Sequence, residues 1–343
     1  MEFSLKKVLY GHNSNNWFNS GHCLILTWTW NLGGVVMEQV AVIGTGTMGH
    51  SIAIAVAWTK QPVVLYGLSE QELHQAQQEI TEKVARMVEE GLLDDAAILL
   101  NCIQYSQDLQ QAVEGTSLIV EAIPEQLPLK HALYEELEQL VARETIIASN
   151  TSGLMPSDLA ARSRYSERFI VTHFWNPAYL IPLVEIVPGK ETTEAVVQRT
   201  KAWIEAIHKQ AIIVRKEVPG FIGNRLQFAL FREAQALYDA GVATKEDIDA
   251  AVTSSIGRRL PVTGPLMSAD FGGLDVFKAI SDYLFDDLAT LQQASEGLNQ
   301  LVANGHVGVR SGQGYYTWSR QQRTYIEAAR ERLLMRFLRE EKL

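Results

Sequence analysis

From Val40 onward, apolar residues come in short unbroken runs separated by stretches where they recur every three or four positions. A run of four or five apolar residues suits a strand covered on both faces, and the wider spacing suits a helix with one face covered. The runs Val40-Ala41-Val42-Ile43, Val63-Val64-Leu65-Tyr66, 118–122, 145–149, 169–172 and 183–187 are therefore predicted strands. Residues 51–59, 69–90 (ending at Gly91) and 128–141 are predicted helices. Strands and helices alternating in this way predict an α/β fold built on a mostly parallel sheet.

The pattern changes after Val218-Pro219-Gly220. Strand signals nearly vanish, and 221–241 and 244–256 read as helices, the first stopped by Gly241. Glycine and proline punctuate 257–273, and helices resume beyond Leu274. The stretch 320–343 is charged and amphipathic, with Ile326, Leu333, Leu334 and Phe337 spaced as one helical face. The predicted organisation is an α/β domain over 37–219 and an all-helical C-terminal domain over 220–343. Residues 1–36 read differently, with Asn and Trp clusters and one apolar run, Cys23 to Trp30, far too short for a membrane helix. Lys6 and Lys7 precede that run, but polar residues intervene from Gly11 to Asn19 and no clean cleavage site follows. Since Met37 stands just before the first strand, residues 1–36 are expected to be an extension outside the fold.

Composition narrows the function. A net charge of −10 over 343 residues argues against nucleic acid or an anionic membrane as the main partner. The two cysteines, Cys23 and Cys102, have no metal-ligand spacing, so no metal site is expected; lone thiols fit a reducing compartment, the cytoplasm.

The first predicted strand runs straight into Gly44-Thr45-Gly46-Thr47-Met48-Gly49, and a predicted helix follows. A Gly-x-Gly-x-x-Gly pattern is weak alone, but strand, loop and helix together form the dinucleotide-binding unit of a Rossmann-type domain. Gly44 permits a tight turn, Gly46 lets backbone approach a pyrophosphate, and Gly49 lets the helix pack on the sheet. The helix start offers unpaired N–H groups and a positive dipole end to phosphate. The fingerprint lacks the acidic residue that ends the second strand and binds ribose hydroxyls, because Gly67 stands there. Ser69 and Glu70 lie just beyond as partial substitutes. No Arg or Lys occurs between Gly67 and Ile80 to hold a 2′-phosphate, so NAD is expected.

Four further segments follow in order: Ser149-Asn150-Thr151-Ser152, Thr172-His173-Phe174-Trp175-Asn176-Pro177, Leu183-Val184-Glu185, and Pro219-Gly220-Phe221-Ile222-Gly223-Asn224-Arg225. With the closing run Gly308-Val309-Arg310-Ser311-Gly312-Gln313-Gly314-Tyr315-Tyr316, they resemble the L-3-hydroxyacyl-CoA dehydrogenase family from about Gln39 to Trp318. The resemblance implies reversible hydride transfer between a secondary alcohol and nicotinamide. It implies His173 as the base, Glu185 as its partner carboxylate, and Ser152 and Asn224 as holders of the substrate oxygen. A histidine titrates near working pH, and a carboxylate on its far ring nitrogen fixes the tautomer and favours the imidazolium. Donors at the oxygen stabilise its developing charge. Taken singly, His173 reads as a packed side chain at a strand end, and Ser152 and Asn224 as helix caps. Their order within the family pattern is what carries the roles. Further cofactor contacts implied by the resemblance are Glu125, Lys130, Ser152, Asn176 and Arg310, the last standing where the family usually has lysine. A homodimer, paired through the helical domain, is implied in the same way.

The substrate divides the resemblance. Tyr179-Leu180-Ile181-Pro182 is more similar to relatives acting on small free acids, the L-gulonate 3-dehydrogenase (lambda-crystallin) and carnitine dehydrogenase branch. Ser152-Gly153-Leu154-Met155-Pro156-Ser157 and Lys216-Glu217 lean the same way, whereas Gly264-Pro265-Leu266 and 270–275 resemble the acyl-CoA branch. The family's CoA region falls on 83–91, less basic here than in CoA-binding relatives although Lys83 and Arg86 remain. The expected function is an NAD-dependent L-3-hydroxyacyl-CoA dehydrogenase, with a dehydrogenase of a free 3-hydroxy acid as the alternative. A non-catalytic dinucleotide sensor or crystallin-like protein is the third reading, and the complete set of four catalytic residues argues against it.

Overall fold

The structure, a computed structural model, describes residues 38–341; the extension expected over 1–36 lies outside them. Eight strands form one sheet: β1 (Val40–Ile43), β2 (Val63–Tyr66), β3 (Ile103–Ser106), β4 (Leu118–Glu121), β5 (Ile146–Ser149), β6 (Phe169–Phe174), β7 (Leu183–Pro188) and β8 (Gln210–Ile213). Their order is β3-β2-β1-β4-β5-β6-β7-β8. Neighbours pair in parallel except β6 and β7, which are antiparallel. The central strands β1, β4, β5 and β6 are buried along their whole length, as their unbroken apolar runs require. Each fully buried Val, Leu or Ile there contributes about 1.5–3 kcal/mol relative to exposure.

Helix α1 (Thr47–Trp58) is largely apolar, and Gly49 through Ala57 are buried in succession, His50 and Ser51 included. Helix α2 (Glu70–Glu89) buries only Leu73, Ala76, Ile80, Val84 and Met87, the stripe expected of an amphipathic helix, and Ser69 caps its start. After Val218 the chain becomes helical. The helix Gly223–Asp239 comes first, and the glycine- and proline-punctuated stretch holds the helix Pro265–Gly272. The helix Arg320–Glu341 then returns to the α/β domain. Met335 is buried in the sheet domain's main core cluster, with Leu334 and Leu338 packed against it. Glu331 accepts a hydrogen bond from the Tyr179 hydroxyl and pairs with Arg86 at 3.2 Å. Arg339 donates to the Glu90 carbonyl at 3.1 Å. The covered face thus runs through Leu334, Met335 and Leu338, while Ile326 and Leu333 of the predicted face are exposed. Among the described residues no helix is long and apolar enough to cross a membrane.

Candidate active site

The glycine loop lies between β1 and β4, where the strand order turns back, which is the crevice where open α/β sheets bind ligands. Gly44 has φ +109°, and a Cβ there would meet the Ala122 carbonyl oxygen at 2.7 Å. A Cβ on Gly49 would fall 1.7 Å from the Gly44 oxygen, so this close packing of α1 admits no side chain. Above Gly46 nothing lies within 4 Å of that position. The loop is therefore closed on its protein side and open on its ligand side. Gly46 caps α1 without any side-chain bond, which leaves the first-turn N–H groups for an anion. A cavity of about 960 Å³ extends from the loop, lined by Gly44, Thr45, Gly46, Thr47 and Met48 and reaching along α2. Shape and donors fit a dinucleotide.

At the end of β2 the packing explains the missing acid. A Cβ on Gly67 would lie 2.6 Å from Thr45 Cγ2 and 3.0 Å from Leu73 Cδ2. The substitutes considered from sequence are placed otherwise: the Ser69 hydroxyl accepts the Glu72 N–H at 3.2 Å as a helix cap, and Glu70 does not line the cavity.

The His173–Glu185 pair comes from the one antiparallel strand pairing among the described residues of the sheet. In the β6–β7 register His173 stands directly opposite Glu185, so both side chains leave the same face of the sheet. His173 Nδ1 lies 2.8 Å from Glu185 Oε2. A carboxylate accepts only, so Nδ1 carries the proton and Nε2 is the nitrogen left for substrate. Glu185 is fully buried and accepts three more bonds: from Trp175 Nε1 at 3.2 Å, Ile222 N at 2.9 Å and Gly223 N at 3.0 Å. Burial pushes its carboxyl up. The His173 bond and the Gly223 and Ile222 N–H groups outweigh that and hold it below its ordinary value. The Trp175 indole reaches Glu185 because residue 223 has no side chain; a Cβ there would lie 2.3 Å from Trp175 Cζ2. Trp175 and Gly223 stand inside segments of the family pattern, but the sequence assigns neither a role, since their contact joins segments 48 residues apart.

His173 lines a cavity of about 290 Å³ together with Met48, Glu125, Ser152, Trp175 and Asn176. Asn224 Nδ2 donates to the Ser152 carbonyl at 3.1 Å, which joins the helical domain to the rim of this cavity. Ser152 N donates to Glu125 Oε1 at 3.1 Å, and the Thr151 hydroxyl donates to the same carboxylate. Asn176 is exposed and precedes Pro177 through a cis bond. Asn150 also borders the cavity and accepts the Phe174 N–H at 2.9 Å, tying the ends of β5 and β6 together.

Two predicted cofactor contacts sit away from the open space. Lys130 is buried, with its ammonium 2.6 Å from Glu121 and 3.4 Å from Glu125. Glu121 is buried as well and also accepts from Tyr134 and Ser149, each at 2.6 Å, and from Ile123 N at 2.8 Å. Lys130 therefore reaches the cavity through Glu125. Arg310 lies in an exposed turn and lines neither cavity.

Two family models match the chain: "3-hydroxyacyl-CoA dehydrogenase, NAD binding domain" over 39–218 and "3-hydroxyacyl-CoA dehydrogenase, C-terminal domain" over 220–318. The chain is similar to 5-formyl-3-hydroxy-2-methylpyridine 4-carboxylate 5-dehydrogenase of Mesorhizobium japonicum, 32% identical over 305 residues, covering 88% of this chain and 97% of that protein. It is similar to the mitochondrial hydroxyacyl-coenzyme A dehydrogenase of Mus musculus, 34% identical over 293 residues, covering 83% and 92%. A solved structure of a 5-formyl-3-hydroxy-2-methylpyridine 4-carboxylic acid 5-dehydrogenase, described as NAD+ dependent, superposes with a TM-score of 0.82 at 30% identity, covering 89% of this chain and 98% of that one. With its dinucleotide cradle, His–Glu pair and two matched domains, the chain belongs to the 3-hydroxyacyl-CoA dehydrogenase family, NAD-dependent dehydrogenases acting on CH–OH groups.

Proposed function

We propose that this chain interconverts the hydroxyl and carbonyl forms of a small free carboxylic acid, with His173 as the base. NAD, when bound, exchanges the hydride with the carbon bearing the hydroxyl. His173 Nε2 takes the hydroxyl proton in the oxidising direction and returns it in the reducing one. Glu185 stays ionised, fixes the ring and stabilises the imidazolium. Ser152 and Asn224 hold the substrate oxygen, and donors at that oxygen stabilise its alkoxide character.

One observation carries the free-acid reading. The two cations of the segment expected to meet CoA phosphates are both engaged by carboxylates, Lys83 by Glu79 and Arg86 by Glu331, and Glu89 and Glu90 follow them. Binding an anionic group there would first require breaking those pairs. The Mesorhizobium relative supports the same side, since its name gives a pyridine carboxylate. An L-3-hydroxyacyl-CoA ester is the second reading, favoured by the names of both family models and by the mouse relative.

NADH oxidation with free 3-keto acids and with acetoacetyl-CoA separates the two. The free-acid reading expects the better free acid to exceed the ester in kcat/KM by at least about tenfold; the reverse preference overturns it. His173→Gln is expected to lower kcat by about 10²–10⁴ while NADH still binds, as general-base catalysis requires. Unchanged turnover would refute the assigned mechanism.

The helical domain also supports a second copy as partner. The helices Lys245–Ala251, Pro265–Gly272, Leu274–Leu284 and Glu296–Ala303 bury none of their residues. Leu266 is 84% exposed and Phe271 82%. An apolar surface of this extent marks an interface, and the chain's own symmetric partner covers it.

A further inference from the structure

The dinucleotide cavity needs an acceptor for the ribose hydroxyls of the adenosine half, and the end of β2 does not supply one. Thr45 and Leu73 crowd the Gly67 position, so a side chain there would have to displace both. The geometry points to Glu72 as the residue that reads this ribose and discriminates against a 2′-phosphate.

Glu72 lies in the first turn of α2 and lines the cavity beside Tyr66, Gly67 and Leu68. Its Oε2 accepts the Leu68 N–H at 3.1 Å, which holds the carboxylate against the segment that follows β2. Oε1 makes no hydrogen bond among the described residues and is free to accept. The capping contact thus uses one oxygen and orients the other, so the role of a strand-end acid is filled from five residues further along the chain. The other acid of α2 on this cavity, Glu79, is taken by Lys83. Among the described residues lining the cavity that lysine is the one Lys or Arg, and its charge is already balanced. A 2′-phosphate at Glu72 would therefore meet a negative charge without a balancing cation, whereas a 2′,3′-diol can donate both hydroxyl protons to a carboxylate. This assignment concerns the cofactor and is independent of whether the substrate is a free acid or an ester.

The test is a fluorescence titration of the whole chain with NADH, 2′-deoxy-NADH and NADPH, for the wild type and for Glu72→Gln. Glutamine keeps an acceptor for Leu68 N–H and removes the charge. The wild type is expected to bind NADH about tenfold or more tighter than either analogue, from loss of a charge-assisted bond or gain of repulsion. In Glu72→Gln, NADH is expected to weaken about tenfold, to the level of 2′-deoxy-NADH, while NADPH weakens less than twofold or tightens. Wild-type affinity for NADH in Glu72→Gln overturns the assignment. So does an equal loss for all three dinucleotides with a fall in melting temperature, which would mark Glu72 as a helix cap only. Glu70→Gln, two residues away and off the cavity, is expected to leave all three affinities unchanged; a matching loss there would overturn the assignment as well.

Discussion

Gly223→Ala tests how the Glu185 carboxylate is held. At an exposed helix position this change would favour the helix by about 1 kcal/mol. Here the new Cβ would lie 2.3 Å from Trp175 Cζ2, 3.0 Å from Cε2 and 3.2 Å from Cη2. Carbon atoms rest at about 3.5–4.0 Å, so the indole must retreat by more than about 1 Å. Its Nε1 bond to Glu185 is already 3.2 Å long, and a shift of that size takes it past the roughly 3.5 Å limit of a hydrogen bond. Overpacking costs about 1–3 kcal/mol, and a lost bond to a charged group about 1.5–3 kcal/mol. The net destabilisation expected is about 1.5–5 kcal/mol after the helix gain. Turnover should fall too, because Glu185 loses a donor and Gly223 N moves with the backbone. Urea unfolding and steady-state kinetics on Gly223→Ala, Trp175→Leu and the double variant form a cycle. The double variant should be no worse than Trp175→Leu alone, giving a coupling of at least about 1 kcal/mol. Additive single effects, or a Gly223→Ala protein as stable and active as the wild type, would refute the steric account.

The Glu185 carboxyl is held below its ordinary value of 4.5 by donors that prevail over burial, so its ionisation stabilises the folded state. That contribution is complete above the ordinary value and is lost as pH falls through the lowered folded one. Melting temperatures from about pH 3 to 6 should therefore fall less steeply below about pH 4.5 in Glu185→Gln than in the wild type; parallel curves would contradict the assignment. Lys130→Met removes one half of a buried pair and leaves the Glu121 charge to Tyr134, Ser149 and Ile123 N. A loss of about 3–5 kcal/mol is expected in urea unfolding, and an unchanged midpoint would show the pair to be dispensable. Phe271→Asp places a charge on the exposed apolar face of the helical domain and should convert a dimer to monomer in light scattering, without loss of helix content by circular dichroism. A wild-type chain already monomeric at micromolar concentration would remove the basis for that interface.

The central sheet was legible because β1, β4, β5 and β6 are buried on both faces and so carry unbroken apolar runs. The two edge strands were not read. Ile103–Ser106 alternates apolar and polar residues and is partly exposed, so it presents no run, whereas β8 carries only a short apolar run, Ala211-Ile212-Ile213-Val214, behind a single polar residue. Strand direction was hidden as well, since a buried strand looks alike in either sense, and the β6–β7 reversal is what sets His173 against Glu185. The glycine loop was legible because strand, loop and helix are contiguous. His173, Glu185, Ser152 and Asn224 stood out through their order in a family pattern, not through any local signal. Trp175 against Gly223, and Glu72 in place of residue 67, depend on packing between separate segments and have no signature in either segment alone.

The returning helix Arg320–Glu341 bears on how the molecule is made. Tyr179 meets Glu331 across 152 residues, and Arg339 meets the Glu90 carbonyl across 249. The α/β core is thus completed by a segment from beyond the helical domain. During synthesis the sheet leaves the ribosome with part of its surface around Met335's docking site uncovered, and long-range closure of this kind is slow. Holding chaperones have that interval in which to act, and a fragment ending near residue 219 would keep the same apolar surface open permanently. The break in hydrophobic pattern at 219 marks a change of architecture, but the unit that folds to completion extends through the final helix.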